Sequence, residues 1–407
     1  MVNSGFGIQL FSGYRYENDL DVSNTIDAKA IYYWVNHRDE AVPSDAAYVV
    51  LVSCANIRME GISPKGIALA STTSSAISRV KMTGRSDGIN LLDCSNITIA
   101  DSILRDQGAI RVDSSSNNIV RHNEFSNQNY LGIRLGSGSG NLISGNTFTN
   151  ISDAIHSMKD VGNGNIVVSN NFTANEYALT VRGSVKVLDN VFDGNAYGIL
   201  FSEGSGSIVT GNIFKNNEIG LSFSGSSSNF IYLNNFIDND RQVTDAGVSE
   251  QSASTQASEE RSGSTGSLQL AASHVSGVNF MPPPPPSSNI WDNGAEGNYW
   301  SDYTGSDKNG DGIGDSSYDL YGNNQDHFPL MKPVAVSEVP SPPNESSLLA
   351  PAGSPSQEPE PTEISDAEVK PEPFPMLVIA TAFAASTAVV VGLIVIFKKR
   401  NRQVKQL

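Results

Sequence analysis

Asn123-Glu124-Phe125, Asn146-Thr147-Phe148, Asn170-Asn171-Phe172, Asn190-Val191-Phe192, Asn212-Ile213-Phe214 and Asn234-Asn235-Phe236 are one phrase written six times, at spacings of 23, 24, 20, 22 and 22 residues. A second phrase, a small residue before an aliphatic one, keeps step with it at Gly132-Ile133, Ala154-Ile155, Ala178-Leu179, Gly198-Ile199 and Gly220-Leu221. A period near 22 is too short for a propeller blade or a helical hairpin, so each repeat reads as one coil of a solenoid. Leucine-rich repeats share the period, but their Leu-x-x-Leu-x-Leu frame is missing. In a parallel β-coil, equivalent positions stack about 4.8 Å apart. The spacing therefore predicts a buried column of six Phe rings, a second column of aliphatic side chains and a ladder of Asn amides along one turn. No coil buries its apolar face alone, so stability belongs to the stack.

Towards the N-terminus, Gly66-Ile67, Gly88-Ile89 and Ala109-Ile110 mark further coils, about ten in all. Between residues 24 and 48 the repeat breaks. Tyr32-Tyr33-Trp34-Val35-Asn36 with Val42-Pro43-Ser44-Asp45 reads as an aromatic-rich excursion, either a loop over one flank or a ligand platform. Met1-Val2-Asn3-Ser4 does not open a signal peptide, and Gly7-Ile8-Gln9-Leu10 already resembles a coil. An uncapped coil at the start leaves an open edge, so the signal and cap are expected upstream. Cys54 and Cys94 sit in matching phrases two coils apart. Stacking separates them by roughly 10 Å, beyond the reach of a disulfide. Two free, packed thiols are expected, and not a metal pair.

The parallel β-helix is thus expected over residues 1–240, followed by a Ser- and Pro-rich insertion at 241–288 that cannot bury a core. Residues 289–333, with Trp291 and Gly297-Asn298-Tyr299-Trp300-Ser301-Asp302-Tyr303, carry enough aromatic surface to cap the open end. Residues 334–374 are rich in Pro and Glu and read as a self-repelling stalk. The uncharged apolar run at 375–397 is long enough to span a bilayer. Lys398-Lys399-Arg400 opens the basic tail 398–407, so the tail is expected in the cytoplasm and the β-helix outside the cell membrane. A net charge of -17 and a pI near 4.6 argue against a nucleic-acid partner.

The Asn-x-Phe coils, the Tyr32–Asn36 segment before Val42-Pro43-Ser44-Asp45, and Gly297–Tyr303 together resemble the NosD-like right-handed parallel β-helix family, also described as CASH (carbohydrate-binding and sugar-hydrolase-like) repeats. The resemblance covers roughly residues 1–240 and 289–332. It implies an all-β, right-handed, three-sided coil, and its membrane-anchored members are similar to cell-surface proteins of archaea and some bacteria. It also implies copper handling, although fold does not carry function. Copper favours His, Met and Cys, and His156-Ser157-Met158 supplies one pair that strand alternation puts on a single outward face.

Two other constellations carry chemistry. Asp307-Lys308-Asn309-Gly310-Asp311-Gly312-Ile313-Gly314-Asp315 resembles the start of a calcium loop, with Asp307, Asn309, Asp311 and Asp315 as side-chain ligands and the Ile313 carbonyl as another. The twelfth position is Tyr318 rather than Glu, and a metal-free Asp/Gly turn cluster is the alternative. The residue after each repeated aliphatic gives an outward column of Ala68, Asn90, Arg111, Arg134, His156, Thr180, Leu200 and Ser222, with Asp113 and Asp153 nearby. Stacked like charges cost free energy unless paired or facing an anion. Arg111, Arg134 and His156 therefore mark either an acidic-sugar site or a surface ladder neutralised by Asp113 and Asp153. No carboxylate pair suited to glycoside hydrolysis can be placed. Of the sequons, Asn344-Glu345-Ser346 is the comfortable acceptor, since Asn96, Asn150 and Asn171 lie within repeats.

The chain is expected to be a membrane-anchored surface β-helix with a binding or structural role towards carbohydrate. A polysaccharide lyase or hydrolase using the Arg/His/Asp face is one alternative, and a copper-binding accessory the other.

Overall fold

The computed structural model describes residues 18, 20–84, 86–247 and 285–335. The expectations for Gly7–Leu10, the stalk, the apolar run at 375–397 and the basic tail lie outside the described residues. Within them, no helix is long and apolar enough to cross a membrane.

Every strand of the stack pairs in parallel with its equivalent one coil away, and the three faces of the coil repeat in a fixed order. One face holds Gly66–Ala70, Gly88–Leu92, Ile110–Asp113, Tyr177–Val181, Tyr197–Ser202 and Ile219–Ser224. The second is a nine-stranded sheet of three-residue strands from Arg58–Glu60 to Phe230–Tyr232. The third carries the Asn-x-Phe phrases, as in Asn171–Thr173, Val191–Asp193 and Ile213–Lys215. In two coils the third and first faces run together without a break, as Glu124–Leu135 and Thr147–Ser157. Nine coils in the flat sheet are close to the number expected from the period.

Registers of Phe125↔Phe148, Phe148↔Phe172, Phe172↔Phe192, Phe192↔Phe214 and Phe214↔Phe236 build the ring column. All six rings are fully buried, with centroids 4.7 to 4.9 Å apart between neighbours. Burying each ring is worth about 1.5–3 kcal/mol. The Asn ladder is also present: the Asn170 side-chain amide donates to Asn190 Oδ1 at 3.0 Å, Asn190 to Asn212 at 3.0 Å, and Asn212 to Asn234 at 2.9 Å. Each Oδ1 also accepts the backbone N–H of the Asn one coil earlier. Tight corners are made by single left-handed residues, such as Asn56, Asn96 and Asn117 at φ of 56, 55 and 57°, a conformation Asn tolerates better than most residues.

Two boundaries differ from the expectation. The segment Tyr32–Asn36 is no excursion: Lys29–Val35 is a strand in register with Tyr48–Val52, and Arg38 and Ala41 bridge onto Ala55 and Arg58. Its aromatic residues are coil residues. Tyr32 and Trp34 pack on the main core, while Tyr33 joins an outer cluster with Ile26, Tyr48, Val50 and Ala68. This outer cluster is why Ala68, on the outward column, is completely buried.

Nor does the stack stop at Asp240. Arg241–Asp245 pairs with Ile219–Ser224, Ile290 bridges to Phe230, and Tyr299–Trp300 pairs with Asn235–Phe236. These segments are the three faces of one further coil, and residues 248–284 are inserted within it. Trp300 stacks on Phe236 at 4.3 Å and Tyr318 on Trp300 at 4.4 Å, so the ring column runs on through the segment expected to close the end. The Asn ladder likewise ends on a charge: Asn234 donates to Asn298 Oδ1, and Asn298 N–H and Trp300 Nε1–H both donate to buried Asp326. Gly297 is required here, since a Cβ would lie 1.8 Å from Asp326 Oδ1.

Candidate functional site

The corner between the third and first faces is uneven along the stack. In the later coils it is closed by a second amide ladder, Asn175 to Asn195 to Asn217 to Asn239, at 2.8 to 3.0 Å. Each of these also donates to a Phe carbonyl, as Asn195 does to Phe172. Gln128 has the corresponding place further up, donating to the Leu104 carbonyl at 3.1 Å. Its Oε1 is buried and has no partner among the described residues. Ile151, between Gln128 and Asn175, has no side-chain amide and ends the ladder, and beyond it a cleft of about 700 Å³ opens, lined by residues from Ser86 to Arg134.

A register shift helps to shape it. Gln128 pairs with Ile151 but Leu131 with Asp153, so Glu124–Leu135 holds one extra residue over its neighbour there. Such a bulge re-aims side chains at a sheet corner. Tyr130 falls in the bulge and stands 75% exposed at the cleft wall. Gly88 and Gly108 let the adjacent coils close up beneath: a Cβ on Gly88 would meet the Ala109 carbonyl at 2.1 Å.

Stacking places Asn90, Arg111, Arg134, His156 and Thr180 at equivalent positions of successive coils. Arg111, Arg134 and Asp113 line the cleft, whereas His156 and Asp153 lie one coil beyond Arg134 and outside the lining. The Arg111 guanidinium donates to Asn90 Oδ1 at 3.2 Å. Arg134 is 3.4 Å from Asp113 Oδ1. Burial pushes the Asp113 carboxyl above its usual range, opposed by both arginines. Asp87, also in the lining, is raised by burial too, opposed by the Tyr48 hydroxyl and Arg111. His156 Nδ1 is 2.6 Å from Asp153 Oδ2. Asp153 is pushed up by burial against the pull of His156 and Thr180, and its Oδ1 has no partner among the described residues.

Asp87 immediately precedes the strand Gly88–Leu92, and Asp113 pairs with Leu92 at that strand's far end. Tyr130, Gln128 and Asp87 were not among the residues marked by sequence. The only signal for Tyr130 is the spacing of 23 between Phe125 and Phe148, a small excess that does not say which residue is thrown outward.

Asp153 engages one nitrogen of His156, leaving one imidazole nitrogen and the Met158 thioether. Among the described residues no three His, Cys, Asp or Glu side chains converge as a metal site. In the acidic loop, Asp307 accepts N–H groups from Gly310, Asp311 and Gly312. Asp311 Oδ1 accepts from Ile313, and Asp315 from Lys308 and the Ser306 hydroxyl. Asn309 binds Asp311 through its side chain. The loop thus holds its turn through its own amides. Cys54 and Cys94 are free and buried.

With the geometry in place, the comparisons agree on the coil. A family model described as "Right handed beta helix region" matches residues 65–214. Together with the parallel stacking, this makes the molecule a right-handed β-solenoid of about nine turns. Among solved structures, the Streptococcus pneumoniae surface protein and adhesin PfbA is similar at 16% identity and TM-score 0.37, over 48% of this chain and 68% of that one. An alginate lyase from Paenibacillus sp. str. FPU-7 is similar at 14% identity and TM-score 0.30, over 48% of this chain and 91% of that one. At such identities the likeness concerns the coil alone. No curated protein matches the sequence.

Proposed function

We propose, taking this chain as a right-handed parallel β-helix, that it is a glycan-binding surface protein whose cleft between Ser86 and Arg134 receives an acidic sugar. The observation that carries this is the bulge that holds Tyr130 three-quarters exposed on the wall of a polar cleft containing Arg111. An exposed aromatic ring beside convergent polar groups suits a saccharide, whose C–H face packs on the ring while its hydroxyls bond at the edge. Arg111 donates to an amide oxygen, and its charge, facing Asp87 and Asp113 without a close ion pair among the described residues, is the one available to an anion. Arg134, held against Asp113, is the partly neutralised neighbour.

The test is calorimetric binding of acidic and neutral oligosaccharides to the full-length protein. Acidic ligands are expected to bind with salt-sensitive affinity, Tyr130→Ala to weaken both classes about tenfold, and Arg111→Ala to weaken only the acidic ones. Equal binding of both variants would refute the site.

Display at the cell membrane by a single span at 375–397, on a stalk at 334–374, belongs to the same proposal. Protease shaving of intact cells should release the β-helix and leave the tail. A calcium role for Asp307, Asn309, Asp311, Ile313 and Asp315 is proposed as structural, tightening the segment over the last coil. Chelator should then lower the unfolding temperature of the wild type and leave Asp311→Ala unmoved; an unchanged wild type would remove calcium.

A further inference from the structure

Arg111 and Asp113 stand two residues apart on Ile110–Asp113, which alternation puts on one side of the strand, and Arg134 takes the place of Arg111 one coil on. Asp113 reaches across to that next coil. Its Oδ1 lies 3.4 Å from the Arg134 guanidinium, and a Cβ on Gly136 would fall 2.2 Å from the same oxygen. The approach is single, and longer than the roughly 2.7–2.9 Å of a charge-assisted hydrogen bond. Both side chains stay open to solvent, Arg134 at 37% and Asp113 at 30% exposure. The charged groups facing Asp113 are Arg134 on the next coil, Arg111 on its own strand and Asp160 in the turn after Thr147–Ser157. On the coil before, Asp93 donates its backbone N–H to the Asp113 carbonyl. Burial raises the Asp113 carboxyl, the two guanidiniums oppose the rise and Asp160 adds to it. Asp87 and Asp106 also line the cleft, so three carboxylates there face the two arginines.

We propose that Asp113 holds the place of the ligand's carboxylate on Arg134 in the free protein, and that an acidic sugar displaces it with uptake of one proton from solvent. This rests on the acidic-sugar reading above. Arg111 is the guanidinium the ligand meets first, and Arg134 becomes its second only when Asp113 lets go. A displaced Asp113 keeps its burial and loses the neighbour that held it ionised, while the incoming carboxylate adds a negative charge beside it. Both changes favour the protonated acid. The proton comes from solvent and ends on Asp113, whose carboxyl then has an O–H to donate to the sugar. One negative charge enters with the ligand and one is cancelled, so the charge of the cleft is the same before and after. The complex then holds one proton more than the free protein. Affinity therefore rises as pH falls and is lost as pH rises, by at most about tenfold per pH unit. A cleft built this way loads in acid surroundings and releases near neutrality. A neutral sugar, which makes no demand on Arg134, is indifferent to the gate.

The full-length protein is to be titrated by calorimetry with the trisaccharides of galacturonate, glucuronate, mannuronate and guluronate, and with their methyl esters, in buffers of low and high ionisation enthalpy. At least one free-acid trisaccharide should bind with uptake of roughly one proton, and about tenfold more tightly at about pH 5.5 than at about pH 7.5. Its methyl ester should bind about equally at the two pH values. Asp113→Asn should bind the free acid about tenfold more tightly than the wild type near neutral pH, with no proton uptake. Asp113→Ser repeats the measurement if the Asn variant fails to fold, and the wild-type proton count needs no variant. His156→Gln, outside the lining, should keep that count, which separates Asp113 from the imidazole next to Arg134 on the column. Binding without proton uptake, or uptake that persists in Asp113→Asn, overturns the inference and leaves the acidic-sugar reading standing. Failure of every free-acid trisaccharide to bind removes both.

Discussion

The coils from Asn123 to Phe236 and those from Tyr48 to Asp113 follow the same backbone path with different interiors. In the later coils the ring column is Phe and the corners carry Asn amides, each bonded to the coils on either side. In the earlier coils the same column is Met82 and Leu104, and the corners carry Ser, Thr and Cys. A hydroxyl reaches one backbone N–H and returns its proton to a nearby carbonyl, as Ser102 does with Val80 and Ala100. An Asn amide links three coils at once, as Asn190 does with Asn170, Val167 and Asn212. The first amide ladder runs unbroken through the bulged coil, since Asn123 still bonds Asn146. The second ladder runs out at Ile151, whose N–H donates to Asn175, and the cleft lies one coil further on, beside Gln128.

The strongest test of this contrast lies at the closing end, where the ring column continues. Trp300→Ala removes a buried ring stacked between Phe236 and Tyr318, together with its hydrogen bond to Asp326, and should cost about 4 kcal/mol by denaturant unfolding. Equal loss from Tyr130→Ala, an exposed ring, would break the argument. Next come two substitutions at the same corner in the two halves. Asn190→Ala strands several buried groups and should cost about 3 kcal/mol, whereas Ser102→Ala should cost about 1 kcal/mol. Equal costs would mean that the amide ladder adds nothing over isolated hydroxyls.

A smaller effect separates Asp153 from the exposed carboxylates. Its folded pKa lies above 3.8, so ionising it opposes folding. That cost is absent below the unfolded pKa and complete above the folded one. Stability should therefore fall as pH rises through the window just above 3.8, and Asp153→Asn should flatten that part of the profile in chemical denaturation. The smallest effect is kinetic. Burial pushes the Cys94 thiol up to about 11 and raises Cys54 as well. Both should resist alkylation at neutral pH until the coils open; rapid labelling of the native protein would show a looser early half than its burial implies.

Legibility in the sequence followed periodicity. The six Phe, the first Asn ladder and the order of the outward column, Asn90 through Ser222, can be read by counting, because each depends on a residue about 22 positions away. Tyr32–Asn36 misled because three adjacent aromatic residues resemble a platform; alternation sends Tyr33 to an outer cluster and Tyr32 and Trp34 to the core. The last coil was cut at Asp240 because its faces are separated in sequence by residues 248–284. In Arg241–Asp245 the small residue before the aliphatic one is replaced by Gln242, yet its strand pairs as its predecessors do.

What the sequence by itself determined is the coil: a fixed small-residue and aromatic rhythm that only a parallel stack can bury, since no coil has a core of its own. What the tertiary structure decided is where that rhythm fails to close. Tyr130 is outward because its strand holds one residue more than its neighbour, and Gln128 bonds the Leu104 carbonyl through its N–H while its Oε1 has no partner among the described residues. Arg111 meets an amide while Arg134 meets a carboxylate. Each of these is a relation between adjacent coils, set by register and by the side chain one coil away, and a repeat read along the chain carries only their average.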